Sequence, residues 1–305
     1  MTFSIESPLP GRSFGCTVRG LTLANLDEPD TQAELRRRYI VDGILVFRDS
    51  KVTDAFHLAL SRLFGELAIH PLAAQIGVPG MPELIRLRYE REEETVYDVD
   101  GRQLGAYVPW HFDGVFVQRI NRGGVLRLAL KPESGGATGF MDGIDAWDRL
   151  PQGLRERVEG REAIYQLDSH YPFLPRNRIR IVTQGAKRDD IMRRRDAGEF
   201  PPVVHPMVIT QAETGRKVLH FSPMYAQGVV GMTEEEGRDL LLAIAEHITD
   251  EANAYFHDWE TTDELVLWDN WRFLHKASGV APSATRAVVR TTISGDYGLG
   301  RLAHP

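Results

Sequence analysis

The chain has 305 residues, of which 42% are hydrophobic, 26% charged and 9% aromatic, a composition typical of a globular protein with a sizeable core. Its formal net charge of −7 provides no overall basic field, which argues against nucleic acid as a partner. The single cysteine, Cys16, excludes an intramolecular disulfide and zinc sites that need two or more cysteines. The sequence contains neither a secretory signal nor a run of about 18 apolar residues, so we expect a cytoplasmic protein without a membrane partner.

Predicted strands outnumber predicted helices along the chain. Short apolar or alternating segments bounded by turn residues predict strands at Gly43–Phe47, Glu83–Arg88, Gly124–Leu130, Arg161–Leu167, Val203–Thr210, Lys217–Phe221, Glu264–Trp268 and Arg286–Gly295. Helical patterns occur at Thr31–Tyr39, Thr53–Phe64, Asp142–Leu150 and after Thr233, where Glu236 completes a capping-box pattern ahead of Leu240–Ile248. Many strands with few helices predict a mainly β fold, a sandwich or double-sheet roll with flanking helices.

One highly charged segment interrupts this pattern. Residues Arg176–Glu199 are dense in arginine and aspartate and lack a long apolar period, which indicates an insertion between strands. Two interpretations stay open: a solvated surface helix or loop, or a mobile lid over an active site. We therefore predict a single domain over residues 1–305, with an insertion or lid at about 168–202.

Three residues have the chemistry of a metal site. In an extended strand, residues two apart point the same way, so His111 and Asp113 can direct an imidazole and a carboxylate at one point. A third ligand, His275, follows a predicted strand far downstream. Two histidines and one carboxylate form the facial triad of non-haem Fe(II) oxygenases, which leaves open positions for cosubstrate and oxygen.

Two arginines follow the second histidine. Arg286 and Arg290 are four residues apart, so in a strand they share a face and can point into one cavity. Buried guanidinium groups require anionic partners, and a planar guanidinium binds a carboxylate through two hydrogen bonds. Taken alone, the same pair also fits two surface arginines on an edge strand.

These motifs together resemble the taurine/dichlorophenoxyacetate dioxygenase family. The resemblance runs from about Gly11 to Gly300. It is carried by VFRD at 46–49, RLFGELAIHP at 62–71, HFD at 111–113, GGATGF at 135–140, HPMV at 205–208, WDNWRFLH at 268–275 and RAVVRTTISGD at 286–296. It implies a double-stranded β-helix, a cupin-like jelly-roll core, and the use of Fe(II), 2-oxoglutarate and O2.

The resemblance also implies a reaction. His111, Asp113 and His275 are expected to bind the iron, and the enzyme to oxidise, usually by hydroxylation, an unactivated C–H bond of a small molecule with succinate and CO2 as coproducts. The carboxylate of Asp113 disfavours halogenation, because related halogenases lack a carboxylate at that position. The substrate is either a small organic acid that is broken down or an intermediate of natural-product biosynthesis.

The family pattern also indicates cosubstrate residues. Thr138 and Arg286 match the residues that bind the distal carboxylate of 2-oxoglutarate. Arg290 matches the second family arginine, which lies nearer the iron. It is expected to orient either the first carboxylate of 2-oxoglutarate or an anionic group of the substrate.

The substrate pocket is expected to contain one histidine and several aromatic residues. His70 matches a family position that lines this pocket, and we add Tyr107, Phe112 and Tyr225 as aromatic residues near the motifs, together with Arg290. A non-catalytic metal-binding jelly-roll protein and a zinc hydrolase with the same ligands are the alternatives. The sequence leaves open whether identical chains associate.

Overall fold

The computed structural model describes residues 3–69, 76–91, 94–168, 173 and 179–303. Its strands are, in chain order, β1 (Ser4–Glu6), β2 (Cys16–Arg19), β3 (Ile44–Arg48), β4 (Gly77–Val78), β5 (Met81–Arg88), β6 (Val96–Val99), β7 (Arg102–His111), β8 (Gly123–Leu130), β9 (Thr138–Asp142), β10 (Glu162–Tyr165), β11 (Ile179–Thr183), β12 (Val203–Pro206), β13 (Val208–Thr210), β14 (Lys217–Leu219), β15 (Ala226–Val229), β16 (Tyr255–His257), β17 (Leu265–Asp269), β18 (Phe273–Val280), β19 (Ala287–Ile293) and β20 (Arg301–Leu302).

Six α-helices accompany these strands in the described ranges. They are α1 (Pro29–Asp42), α2 (Asp54–Arg62), α3 (Gly143–Arg149), α4 (Gln152–Val158), α5 (Ala186–Asp196) and α6 (Glu234–Ile248). Short 3-10 turns lie at Ala24–Asp27 and Glu251–Asn253. None of the helices in the part of the chain described is long and apolar enough to cross a bilayer.

Two large sheets organise the described strands. The first has the order β1-β2-β3-β17-β8-β19-β5-β4, and the second has the order β11-β6-β7-β18-β9-β16. Neighbouring strands are antiparallel in the pairs that the structure describes, apart from β2 with β3, which are parallel. A smaller sheet, β15-β10-β12-β20, and the hairpin β13–β14 complete the strand arrangement.

A hydrophobic core joins the two large sheets. Val266 of β17 and Leu128 of β8 belong to the same buried cluster as Phe140 of β9 and Phe273 of β18. Trp268 of β17 packs against Phe140 with ring centroids 5.9 Å apart. The two sheets therefore lie face to face. The core between them packs against β9 and β18, which carry motif residues.

Local sequence signals fix the helix ends. In α6, Thr233 Oγ1 accepts from the backbone N–H of Glu236 at 3.3 Å, and Glu236 Oε2 accepts from the backbone N–H of Thr233 at 3.1 Å, so the predicted capping box is confirmed. The carboxylate of Asp142 caps α3 through the N–H of Ile144 and also pairs with the buried guanidinium of Arg272 at 2.6 Å. All four predicted helices are present, with ends shifted by a few residues.

The strand prediction found the central strands of the first sheet, β3, β17, β8, β19 and β5, but missed β1, β2 and β4 there and all the described strands of the second sheet. The predicted strand Val203–Thr210 divides at Met207 into β12 and β13, which lie in different sheets. In β7, β9 and β18, residues such as Gly, Pro, His, Lys and Ser interrupt the alternation of apolar residues, which is why these strands were not predicted. The described part of the predicted insertion contains β11, which pairs with β6, and the helix α5.

Candidate metal centre

Strand pairing brings the two predicted histidine ligands together. β7 and β18 are antiparallel, and His111 lies directly opposite His275 in their register. The imidazole centroids are 4.2 Å apart. His275 also pairs with Phe140 on β9, so its backbone is held by strands on both sides. The positions of both rings are therefore determined by the ladder of the second sheet.

Asp113 completes the group from outside the strand. β7 ends at His111, so Asp113 lies in the following turn, and the expectation that both residues occupy one strand was wrong in that detail. Nevertheless its Oδ1 lies 3.5 Å from His111 Nε2 and 3.6 Å from His275 Nε2. One ligand atom from each of the three residues lies within 4.8 Å of the others, which is compact enough for one ion to contact all three.

The protonation states suit a divalent metal ion. His111 Nδ1 is 2.8 Å from the carbonyl of Pro109, and donation of that N–H leaves Nε2 with a free lone pair. Burial and the neighbouring His111 lower the pKa of His275 to about 4, so this imidazole is neutral near pH 7. Burial opposes ionisation of Asp113, but the nearby Arg290 and His275 hold its pKa well below the ordinary value. The lone pair of His111 Nε2, the neutral imidazole of His275 and the carboxylate of Asp113 fit Fe(II) and leave positions free for other ligands.

Arg290 contacts the metal-site carboxylate itself. Its guanidinium donates to Asp113 Oδ2 at 2.7 Å, and both side chains are less than one-fifth exposed. The two oxygens of Asp113 are thus divided, with Oδ1 towards the imidazoles and Oδ2 towards the arginine. Arg290 therefore pairs with a metal-site residue, and no local pattern in the sequence predicts this contact between β19 and the turn after β7.

The predicted cosubstrate residues lie at the N-terminal ends of two strands. Thr138 begins β9, and its hydroxyl accepts from the buried indole N–H of Trp259 at 3.2 Å. Arg286 directly precedes β19 and donates to the carbonyl of Gly136 at 3.3 Å. Gly136 has a φ of +77°, and a Cβ there would lie 3.2 Å from Arg286 Nε, so the glycine leaves room for the guanidinium.

The Arg286 side chain is buried with its charge uncompensated. Its exposure is 8%, and in the described residues no carboxylate lies within ion-pair distance and Nε has no hydrogen-bond partner. Burial lowers the pKa of Arg286 to about 10, so it remains cationic near pH 7. A buried cation of this kind is costly unless a ligand supplies the anion.

The aromatic predictions divide into one residue near the site and two residues away from it. Tyr225 packs edge to face on Phe116, with centroids 5.3 Å apart, and burial and the nearby Tyr97 and Asp113 raise its pKa. Its backbone has a φ of +70°, an uncommon value for a residue other than glycine and one often found at functional sites.

Phe112 and Tyr107, the other two aromatic predictions, pack in different surroundings from Tyr225. Phe112 points away from its neighbours in sequence and stacks on His220 at 4.5 Å, because the alternation that joins His111 to Asp113 turns it into the core. Tyr107 packs with Tyr97 in a separate cluster, at 5.9 Å. His70 lies outside the described residues.

Sequence reasoning missed two polar partners of the site. Trp259 donates to Thr138, as described above. Asn270 forms hydrogen bonds with both the N–H and the carbonyl of Asp113. Its position within the WDNW motif was the available signal, but the spacing of that motif does not indicate which backbone groups it binds.

The described part of the insertion reaches the neighbourhood of Tyr225. Arg188 of α5 donates to the Tyr97 hydroxyl at 3.4 Å, and Gly185 N–H donates to Thr95 Oγ1 at 3.2 Å. Phe200, which follows α5, packs edge to face on Phe116 at 5.6 Å. The insertion is therefore connected to the loop that carries Asp113.

Comparisons with known proteins show the family of the chain. Residues 7–292 match the family described as taurine catabolism dioxygenase TauD, TfdA family. The chain is 28% identical over 284 residues to an (S)-phenoxypropionate/alpha-ketoglutarate-dioxygenase from Sphingobium herbicidovorans, covering 93% of each chain. It is 32% identical over 272 residues to an alpha-ketoglutarate-dependent 2,4-dichlorophenoxyacetate dioxygenase from Cupriavidus pinatubonensis, covering 86% of this chain and 88% of the relative.

The fold is shared with solved structures. One is that of AAD-2 in complex with Mn(II) and N-oxalylglycine, which matches with a TM-score of 0.72 at 24% identity and covers 97% of this chain and 98% of that one.

Proposed function

The chain belongs to the TauD, TfdA dioxygenase family, and from this premise we propose that it hydroxylates an unactivated C–H bond of a small organic acid, with succinate and CO2 as coproducts. It is a 2-oxoglutarate-dependent non-haem iron oxidoreductase that uses Fe(II), 2-oxoglutarate and O2. The observation that carries the proposal is the convergence of three ligand atoms within 4.8 Å, in a chain that also buries an arginine without an ion-pair partner among the described residues. A metal site combined with a site for an anion suits a metal-bound dicarboxylate cosubstrate.

In this proposal His111, Asp113 and His275 hold the iron. When bound there with 2-oxoglutarate, Fe(II) supplies the oxidation of the substrate by O2. The imidazole of His275 stays neutral and the carboxylate of Asp113 stays ionised near pH 7, so metal binding does not need to displace a proton from either residue.

Arg286 and Thr138 bind the distal carboxylate of 2-oxoglutarate. The Trp259 N–H occupies a lone pair of the Thr138 hydroxyl, so the hydroxyl proton is available for a carboxylate oxygen. Arg286 contributes the charge, and a carboxylate beside it compensates the burial of the guanidinium.

The substrate is proposed to be an acid because of the family relatives and the local charge. The two relatives described above are named for phenoxypropionate and dichlorophenoxyacetate. Arg290 supplies a cation next to the metal position, and Tyr225 with Phe116 supplies an apolar wall close to Asp113. A natural-product intermediate carrying a carboxylate meets the same requirements.

Three features of organisation belong to the same proposal. The two face-to-face sheets are proposed to form a double-stranded β-helix, or jelly roll, within one domain. The insertion that contains α5 is proposed to act as a lid, because its helix is highly charged and is connected to Phe116 through Phe200. A cytoplasmic location is proposed, since the lone Cys16 is buried and unpaired.

The test is an anaerobic reconstitution with Fe(II), followed by addition of O2, 2-oxoglutarate and a panel of carboxylic acids. We expect succinate formation that depends on Fe(II), and for one acid a product heavier by one oxygen atom. Asp113→Ala is the matched control and should form no succinate. Hydrolysis of a substrate with Zn(II) alone would favour the hydrolase, and metal binding without succinate under any condition would favour the non-catalytic protein.

A further inference from the structure

A buried side-chain amide pairs with the backbone of the metal-site aspartate. Asn270 lies in the turn between β17 and β18 and is fully buried. The backbone N–H of Asp113 donates to Asn270 Oδ1 at 2.9 Å, and Asn270 Nδ2 donates to the carbonyl of Asp113 at 3.0 Å. These two contacts determine the orientation of the amide. In a flipped amide, Nδ2 would face the Asp113 N–H, so that two donors meet, and Oδ1 would face the Asp113 carbonyl, so that two acceptors meet.

The same amide closes the loop that follows Asp113. Asn270 Nδ2 also donates to the carbonyl of Asn121 at 3.1 Å, so one side chain joins both ends of the loop 113–121. The backbone of Asn270 is itself fixed, because its N–H donates to the carbonyl of Arg122 at 2.9 Å. Trp271, the next residue, donates from its indole to the carbonyl of Ile120 at 2.9 Å.

Asp113 needs such a partner because it lies outside the sheet. The backbones of His111 and His275 are held by the ladder between β7 and β18, whereas β7 ends two residues before Asp113. A carboxamide carries the same donor and acceptor as a peptide group, so Asn270 gives Asp113 the pair of hydrogen bonds that a neighbouring strand would otherwise give.

We propose that Asn270 is a positioning residue that sets the metal affinity of the site. With the backbone of Asp113 held by Asn270 and its Oδ2 held by Arg290 at 2.7 Å, Oδ1 is directed at the imidazoles without an ion to organise it. Loss of the amide releases the one ligand that no strand holds. This inference rests on the proposed metal role of Asp113.

The test compares metal affinity with stability in the same variants. Asn270→Asp keeps an acceptor for the Asp113 N–H but removes the donors to the two carbonyls, and Asn270→Ser is too short to reach both groups. Binding of Mn(II) to the apoprotein is followed by the EPR signal of free Mn(II), without 2-oxoglutarate, and unfolding of the apoprotein is followed in urea. Partners outside the ligand set affect metal affinity by about 10–100-fold, so we expect a loss in that range for both variants.

Tyr165→Phe is the matched control. The Tyr165 hydroxyl accepts from the backbone N–H of Ser222 at 3.2 Å, so its removal also leaves a buried backbone donor unpaired, but in the third sheet. We expect it to lower stability without changing Mn(II) affinity. Once metal is saturating, 2-oxoglutarate should bind to the Asn270 variants almost as it does to wild type, since Arg286 is unchanged.

Three results would overturn the inference. One is an Asn270 variant that binds Mn(II) within about twofold of wild type, and another is a loss of affinity in Tyr165→Phe as large as in the Asn270 variants. The third needs no variant: exchange of the Asp113 amide hydrogen in the wild-type apoprotein should be slow, and fast exchange would show that the pair does not exist before metal binds. Absence of Mn(II) binding in wild type would instead refute the proposed metal site.

Discussion

Replacement of Arg286 by methionine is expected to change stability and cosubstrate binding in opposite directions. Methionine retains the apolar length of the side chain and removes the charge. Because the buried guanidinium has no carboxylate partner in the described residues, the neutral side chain should stabilise the apoprotein. The same change removes the cation proposed to bind 2-oxoglutarate.

The magnitude follows from the pKa of Arg286. Burial lowers this pKa from its ordinary value to about 10, and at about 1.4 kcal/mol for each tenfold change in proton affinity this corresponds to about 3 kcal/mol of unfavourable burial. The folded-state pKa is below the unfolded value, so the penalty acts in full at neutral pH and disappears only as the pH rises above about 10. If a carboxylate of the ligand compensates this charge, it can contribute at most a similar free energy to binding. That free energy corresponds to about a hundredfold in the affinity for the ligand.

The assay is a binding titration on the Mn(II)-loaded protein, with 2-oxoglutarate and with 2-oxobutyrate, which lacks the distal carboxylate. Wild type should bind 2-oxoglutarate more tightly by up to about a hundredfold, and Arg286→Met should keep only the preference of roughly fivefold that Thr138 supplies. Urea unfolding of the metal-free proteins should show Arg286→Met to be more stable than wild type by up to about 3 kcal/mol.

Arg127→Met is the matched control, because Arg127 is largely buried but forms an ion pair with Asp54. Its replacement leaves a carboxylate without its partner, so it should destabilise the protein and leave the preference between the two acids unchanged. The reasoning about Arg286 is refuted if Arg286→Met retains the preference for 2-oxoglutarate, or if it is less stable than wild-type apoprotein.

The remaining predictions concern the metal, the cosubstrate, acid stability and the insertion. His111→Ala, Asp113→Ala and His275→Ala should each abolish succinate formation and weaken Mn(II) binding by at least about tenfold, and a variant that binds Mn(II) like wild type would remove that residue from the ligand set. Thr138→Val should weaken 2-oxoglutarate binding by about 1 kcal/mol, or roughly fivefold, at unchanged Mn(II) affinity, and equal loss for 2-oxobutyrate would contradict a contact with the distal carboxylate. Burial lowers the pKa of His205 from 6.5 to about 4, so stability should fall as the pH decreases through this range, and His205→Gln should show a smaller slope in urea unfolding. Amide hydrogens of α5 should exchange rapidly in the free enzyme and more slowly with a turnover substrate, and exchange that no substrate changes would contradict a lid.

The metal ligands could be predicted from the sequence more readily than the strands that position them. His111, Asp113 and His275 stand out because of residue type and spacing, whereas β7 and β18 do not follow a simple alternation of apolar and polar residues. Their strand structure comes from pairing with neighbours distant in the chain, such as the register that places His111 opposite His275. Such long-range pairing is not encoded in any local window of sequence.

The sequence alone could not predict which side chains contact each other at the site. The spacing of Arg286 and Arg290 predicted a shared face, but not that Arg290 binds Asp113, which lies in the turn after β7. Phe112 was assigned to the pocket because of its neighbours in sequence, although alternation along an extended chain directs it away from them. The His-x-Asp pattern therefore predicted the positions of two ligands. It did not predict that Phe112, the residue between them, packs on His220.

The charges around the site explain why one arginine is paired and the other is not. Arg290 neutralises Asp113 and keeps it ionised, so the pair carries no net charge before metal binds. Arg286 has no such partner in the described residues, and with a divalent iron the proposed site holds three positive charges in excess. The two carboxylates of 2-oxoglutarate compensate two of these charges and leave one. An anionic group on the substrate would compensate the last charge, which is the electrostatic reason for preferring an acid over a neutral or cationic substrate.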